Sequence, residues 1–440
     1  MSVLALPGRR VERRSLPLAG AAVAALAAAV CASAWIAVGA PGGKYLLELP
    51  TGANPGWIDG PLHALGGSLG PGALSAALAV LGVSYLVALA CARALPLRVV
   101  LAAVALASLA FTLGPSLVSS DVFGYIAYAR EAAAHGLNPY VSAPASIPHD
   151  PVLPFVYWKQ QTSPYGPLFT GLSLPLGLIS PALALWVYKA AAGVASIALT
   201  WLASLVARER GSSPARAAVF VGLNPVLLVY AVSGAHNDLL AALCLTAGVA
   251  LLTRGRDAAG GALAVAALAV KITLGLALPF VLIGARRRQL AARGAGLALI
   301  AIGVPAIALF GTHFLDQVHR IASQHRFDIA FSGPDRLATL LGTQIDAAIR
   351  LACTAGAAAV ALAMIVWARR GGDWITAAGW AFLALIASIS SLAPWYLVWL
   401  IPLAAVSRSR SLRAAMLLAT AYLVAVHLPA LGGQPWLTPA

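Results

Sequence analysis

Charge is what this sequence has least of. Only 10% of its 440 residues are Asp, Glu, Lys or Arg, against about 25% in soluble domains. With a mean hydropathy of +0.86, water is excluded as its main solvent. Acid is scarcer than base, 14 residues against 29, for a net charge of +15. Cysteine is scarce too: Cys31, Cys91, Cys244 and Cys353 stand singly in apolar segments without CxxC spacing, which argues against disulfides and metal ligation. There is no His-x3-His pair, no Gly-rich phosphate loop in a basic segment and no inverted repeat. A zinc site, a nucleotide fold and a repeat-built transporter therefore lack their usual sequence marks.

What is present is apolar sequence in long runs. Spans are predicted near 17–39, 72–92, 96–115, 181–206, 216–233, 238–253, 292–311, 346–368, 374–392 and 412–430, most of them about the 17–25 residues that cross a bilayer. The expected fold class is all-α, a polytopic helical bundle of about 11–13 spans, read as one domain over 1–440. The run from Pro17 to Val38 is longer than a signal-peptide core and is read as an uncleaved span. Arginines cluster at 9/10/13/14, 93/98, 208/210/216, 254/256, 286/287/288/293, 369/370 and 408/410/413. Placed in the cytoplasm with the basic N-terminus 1–16, they satisfy the positive-inside rule and leave nothing that calls for nucleic acid. The two long hydrophilic loops, 116–166 and 312–345, then face outward with the histidines and most of the acids.

Four irregular pieces interrupt the spans. The segment 165–179 is apolar but broken by Pro175 and Gly177, and it is expected to enter the membrane partway. Two short arms, 258–270 and 272–284, meet at Lys271, and 395–406 follows a break at Pro394. Each thirteen-residue arm reaches about 20 Å, short of a core of roughly 30 Å. Irregular backbone at that depth implies a cavity.

The polar residues fall in a few constellations. Ser119-Ser120-Asp121 opens a predicted helix of about 15 residues, with Ser120 as N-cap and Gly136 past its end. Asp121, Tyr125 and Tyr128 share one face of it; Asp121 either merely complements the helix N-terminus or carries a function there. Asn138-Pro139-Tyr140 and Ser163-Pro164-Tyr165-Gly166-Pro167-Leu168 read as rigid turns. Asn224-Pro225 is followed by Gly234-Ala235-His236-Asn237-Asp238 between two apolar helices, a placement that is costly unless it faces a polar site. Lys271 is an intramembrane lysine whose natural partner is a phosphate. Arg320 and Arg326 in the second loop suit an anionic headgroup, and Pro394-Trp395-Tyr396 is an interfacial aromatic cluster.

Taken together, Ser120-Asp121-Val122, Asn138-Pro139-Tyr140, Ser163 to Leu168, Asn224-Pro225, Gly234 to Asp238, Lys271 and Pro394-Trp395-Tyr396 resemble the motifs of the multi-spanning GT-C glycosyltransferases, in particular the bacterial polyprenol-phosphate-mannose-dependent α-mannosyltransferases and their family 87 relatives. The resemblance implies a transferase that moves a hexose, mannose above all, from a polyprenyl phosphate donor to an extracytoplasmic glycan or glycolipid with inversion. It implies Asp121 as catalytic base, and no cofactor or metal. Candidates for the donor phosphate are Lys271, His236, Arg320 and Arg326. Tyr125, Tyr128, Asn138, Tyr140, Tyr165, Asn237, Asp238, Trp395 and Tyr396 are candidates for binding substrate. Glu131, Asp150 and Asp238 are the alternative bases. The rival functions are a lipid-linked glycan ligase and a transporter or flippase of lipid-linked sugars.

Overall fold

The computed structural model describes residues 9–39, 56–317 and 328–428. Among them every regular element is helical. The chain runs through α1 (Arg9–Gly39), α2 (Pro71–Cys91), α3 (Leu97–Leu113), the short α4 (Asp121–Ala133) and α5 (Pro167–Ser173), then α6 (Pro181–Glu209) and α7 (Pro214–Gly222). A π-helical turn (Val226–Val232) leads to α8 (Asp238–Thr253), followed by α9 (Asp257–Val270), α10 (Leu278–Gly284), α11 (Arg288–Phe310), α12 (Gly333–Leu340), α13 (Ala347–Arg369), α14 (Trp374–Ser388), α15 (Ile401–Val406) and α16 (Arg410–Val426).

Local chemistry sets the helix starts. The Ser180 hydroxyl accepts from the Leu183 N–H ahead of Pro181, and Ser213, Asp346, Asp373 and Ser409 cap α7, α13, α14 and α16 in the same way. Such caps satisfy N–H groups that a helix cannot bond internally. Five described helices are long and apolar enough to cross a membrane: Leu18–Gly39, Pro71–Ala94, Pro181–Glu209, Arg288–Phe310 and Ala347–Arg369. A sixth is counted if Pro214–Gly222 and Val226–Val232, bent by 48°, are one span. Three further spans read from the sequence are shorter apolar helices, Leu97–Leu113, Asp238–Thr253 and Trp374–Ser388. The chain is thus a polytopic helical membrane protein.

The bend at Asn224-Pro225 has a local cause. Proline removes a donor, and Asn224 repairs the break: its carbonyl accepts from the N–H groups of Val226 and Leu227, and its amide donates to Thr420 Oγ1. This motif is structural. The Lys271 hairpin adopts the predicted form, α9 ending at Val270, an extended Lys271, a 3-10 turn (Ile272–Ala277), then α10.

Several of the arginines pair at one end of the bundle. Arg210 pairs with Asp373 at 2.7 Å and donates to the Val406 carbonyl, Arg254 pairs with Glu209 at 2.6 Å, and the Asp257 carboxylate accepts from the N–H groups of Arg286 and Arg287. The polar turns described below meet at the level of Lys189, which lies 21 residues before Arg210 on the α6 axis, or about 30 Å away.

Candidate active site

Four backbone breaks converge at the end of the bundle away from Arg210, Arg254, Arg286 and Arg287: 115–121 before α4, 233–237 before α8, Lys271, and the 3-10 turn Pro394–Trp399. The first two are joined by the Leu117 N–H donating to Ser233 Oγ at 3.0 Å. The Asn237 N–H donates to Tyr125 Oη at 3.4 Å. The third meets the second through Lys271 and Asp238, 2.7 Å apart. The fourth joins them where Trp399 Nε1 donates to Asp238 Oδ1 at 2.6 Å.

Asp121 is the first residue of α4. Its N–H donates to Ser119 Oγ at 3.2 Å, while Ser120 makes no side-chain capping bond. The capping hydroxyl is therefore Ser119 rather than the predicted Ser120, and the helix is 13 residues long. Its end is as expected: Gly136 at φ +65° lets the Leu137 N–H reach the Glu131 carbonyl at 2.7 Å. The Asp121 carboxylate is 13% exposed and stands 3.7 Å from His236 Nδ1. Burial pushes it up to about 6, opposed by the positive charge of Lys271, with Asp238 raising it further and hydrogen bonds from Trp158 and Ser119 lowering it. A carboxyl near 6 is mostly ionised at neutral pH and is more basic than an ordinary aspartate.

His236 is buried, and its ring stacks on Trp395 with centroids 3.8 Å apart. Burial first, and Lys271 second, hold it far below the usual imidazole range, so it is neutral. Neither ring nitrogen has a hydrogen-bond partner, and the same is true of both side-chain polar atoms of the buried Asn237. Buried polar atoms are nearly always satisfied in folded proteins. Four such atoms on consecutive residues beside a carboxylate have hydrogen-bonding capacity to offer a ligand.

Lys271 is held by its surroundings. Both Asp238 oxygens lie within 2.9 Å of its Nζ, and the rings of Tyr396 and Trp399 face it at 5.0 and 5.4 Å. Those two rings are themselves stacked at 4.6 Å. The sequence singles out Lys271 as a free cation awaiting a phosphate, whereas here it already shares its charge with Asp238. Its side chain keeps 14% exposure, so one direction of approach stays open.

The turn at 163–167 docks on this lysine's backbone. The Gly166 N–H donates to the Val270 carbonyl at 3.0 Å, and a Cβ on Gly166 would lie 2.1 Å from the Ala269 oxygen. Only glycine fits there. Tyr165 follows the turn into an aromatic cluster with Tyr125, 4.8 Å away, and Phe169. Tyr128 donates its hydroxyl to the Gln161 carbonyl.

Of the three carboxylates offered as alternatives to Asp121, Asp150 and Asp238 are paired and Glu131 is buried in its protonated form. Asp150 receives Arg130 at 2.8 Å and His135 at 2.8 Å. Burial raises it, but the Val152 N–H, His135 and Arg130 outweigh that and hold it below the usual range. Arg130 also donates to the carbonyls of Gly177 and Ile179, tying α4 to the segment after α5. Glu131 is fully buried, and desolvation pushes it up to about 9, so it stays protonated. Asp238 is occupied by Lys271 and Trp399.

The structure thus brings together Asp121, Tyr125, Tyr165, His236, Asn237, Asp238, Lys271, Trp395 and Tyr396. Asn138 and Tyr140 stand behind Tyr165 as staples. The Asn138 amide donates to the Phe310 carbonyl, and the Tyr140 hydroxyl reaches the Tyr165 carbonyl and Thr170 Oγ1. Arg320 and Arg326 lie outside the described residues. Trp158, which with Tyr157 reads from the sequence as an interfacial anchor or a sugar-stacking platform, instead bonds the Asp121 carboxyl through its indole, and sequence reasoning missed the fully buried Lys189. A lysine inside an apolar span is the same signal that singled out Lys271, and it would have found Lys189.

Comparison with known proteins bears on this arrangement. Residues 29–287 match the family model described as "Alpha-(1->6)-mannopyranosyltransferase, N-terminal domain", and residues 336–439 match that of the "MptB C-terminal domain". Alpha-(1->6)-mannopyranosyltransferase A of Mycobacterium tuberculosis is 28% identical over 340 residues, 67% of this chain and 63% of that protein. The protein of the same name from Corynebacterium glutamicum is 29% identical over 177 residues, 38% of this chain and 34% of that one. Alpha-(1->6)-mannopyranosyltransferase B of C. glutamicum is 27% identical over 150 residues, 32% and 24% respectively. The chain therefore spans less than two thirds of the length of these relatives. No solved structure matches it. Since the first model covers more than half of the sequence and includes Asp121, His236 and Lys271, the chain belongs to the alpha-(1->6)-mannopyranosyltransferase family.

Proposed function

We propose that this protein is an inverting mannosyltransferase that uses a polyprenyl phosphate mannose donor, with Asp121 as the base and its site on the extracytoplasmic side. The observation that carries the reading is the partly exposed carboxylate of Asp121 beside the unpartnered polar atoms of His236 and Asn237. The family membership supports mannose as the sugar. The separation of the site from the arginine-bearing helix ends supports a cytoplasmic N-terminus and an outward site, because basic loops stay inside. Nucleotide sugars are confined to the cytoplasm, so an outward site needs a lipid-borne donor.

In this reading the acceptor hydroxyl attacks the anomeric carbon from the face opposite the phosphate. A new C–O bond forms as the bond to phosphate oxygen breaks, and a β-linked donor gives an α-linked product. The hydroxyl proton passes to Asp121, and the electron pair leaves with polyprenyl phosphate. Lys271 stabilises the charge that develops on that leaving group, an interaction stronger in the transition state than in the bound donor. His236 and Asn237 offer neutral hydrogen bonds to the sugar hydroxyls. Trp395 and Tyr396 line the donor side, and Asn138 and Tyr140 keep the turn before α5 in place. Arg320 and Arg326 are proposed as further contacts to the phosphate.

The test is transfer of radiolabelled mannose by purified protein from polyprenyl phosphate mannose or from GDP-mannose to a mannoside acceptor. Transfer from the lipid donor alone, giving an α-linked product, is expected. Transfer from the nucleotide donor alone, or a β-linked product, contradicts the proposal. Movement of intact lipid-linked sugar across vesicles without transfer would favour the flippase instead.

A further inference from the structure

The two turns that carry Asp121 and His236 are tied from behind by a lysine with no ion-pair partner among the described residues. Lys189, on the third turn of α6, is completely buried. Its Nζ donates to the Pro115 carbonyl at 3.1 Å and to the Ser233 carbonyl at 2.9 Å. Ser233 adds two bonds of its own: its hydroxyl accepts from the Leu117 N–H at 3.0 Å and donates to the Pro115 carbonyl at 3.3 Å.

Each of the two turns contains a side chain in the left-handed region, Val118 at φ +63° and Ala235 at φ +53°. Val118 is three residues before Asp121, and Ala235 immediately precedes His236. Such a conformation is exceptional for a β-branched residue. It persists only where its surroundings over-determine it. A buried ammonium group within an apolar span is itself expensive, and a residue there purely for packing would be apolar.

We propose that Lys189 is a positioning residue: with Ser233 it cross-braces the 115–118 and 233–236 turns and so sets the distance between Asp121 and the His236-Asn237 pair. Being fully buried, it touches no substrate, and it acts through the backbone of both turns. The proposal rests on the reading of Asp121 as the base, and two independent readouts separate the fates of the two ideas.

Lys189→Met keeps an unbranched side chain one atom shorter and removes both bonds. Ser233→Ala removes only the hydroxyl bonds and serves where Lys189→Met does not accumulate in membranes. Both are compared with the unaltered protein at matched abundance for transfer from polyprenyl phosphate mannose. Displacement of a reacting group by an ångström costs about 100-fold in turnover, so kcat falls by about that factor while the KM for donor is unchanged. The acid limb of the kcat profile moves to lower pH as Asp121 gains water, because Lys271, Asp238 and His236 still face it. The second readout needs no turnover: a thiol introduced by Asp121→Cys, with the four native cysteines replaced by alanine, reacts faster with a maleimide when Lys189→Met is added. Wild-type kcat, or a loss confined to KM, together with an unchanged labelling rate overturns the brace. If the unaltered protein transfers no mannose, the functional reading fails, and the labelling rate alone decides whether Lys189 positions Asp121.

Discussion

Removing Lys271 separates its role as counter-ion to Asp238 from its proposed role as leaving-group stabiliser. In Lys271→Met the Asp238 carboxylate, whose side chain is fully buried, keeps the Trp399 N–H but loses both contacts to Nζ. Breaking a buried ion pair by deleting one partner costs about 3–5 kcal/mol, because a charge is left without compensation. The variant therefore melts at a lower temperature in detergent and loses turnover as well, by about 10²–10³-fold if Lys271 stabilises the departing phosphate as an oxyanion donor does. Adding Asp238→Asn removes the stranded charge. The double variant, Lys271→Met with Asp238→Asn, recovers most of the lost thermal stability, since residues in contact are not additive, but turnover stays at the level of the single variant. Melting curves followed by intrinsic fluorescence, and radiolabelled mannose transfer at matched protein, measure the two quantities separately. Turnover restored in the double variant would refute the reasoning and reduce Lys271 to a structural partner of Asp238. Wild-type turnover in the single variant would do the same.

Other parts of the molecule respond predictably. Arg130→Leu leaves the buried Asp150 with only His135 and the Val152 N–H and frees the carbonyls of Gly177 and Ile179; a loss below the roughly 3–5 kcal/mol of a fully uncompensated buried charge should appear as reduced membrane abundance and a lower melting temperature. Gly166→Ala places a methyl group 2.1 Å from the Ala269 oxygen, so the turn must leave the Lys271 backbone, and transfer is expected to fall even where the protein accumulates. The ionised base is the active form, so kcat should rise with pH through a limb near 6, where burial puts Asp121. Measured profiles between pH 4.5 and 8 test this, and a flat profile there would exclude Asp121 as the titrating group.

Much of this was legible in the sequence because the polar residues are so few. In a chain with 10% charge, a lysine at 271 and a His-Asn-Asp run at 236–238 stand out by their cost in hydrocarbon, and the structure brings them together. The breaks at Lys271 and Pro394 were readable from arm length, since proline and short apolar stretches leave few alternatives. Pairings between distant segments were not. Nothing in one sequence says that Asp238 rather than a ligand receives Lys271, that Ser119 rather than its neighbour bonds the Asp121 N–H, or that Asn224 repairs a break while Asn237 is left unpartnered. Those outcomes depend on which helix ends meet. Lys189 escaped notice because it lies within a run that satisfies the pattern of a span, where periodicity draws the eye away from one charge.

The central claim is that Asp121 is the base, and Asp121→Asn tests it most directly. The substitution keeps the shape of the side chain and removes its proton affinity, so the protein should accumulate and melt like the original. Mannose transfer from polyprenyl phosphate mannose should drop by about 10²–10⁴-fold, the usual contribution of a positioned base, while Asp150→Asn at equal abundance keeps most of its turnover per folded molecule. Transfer by Asp121→Asn at or near the original rate would contradict the account.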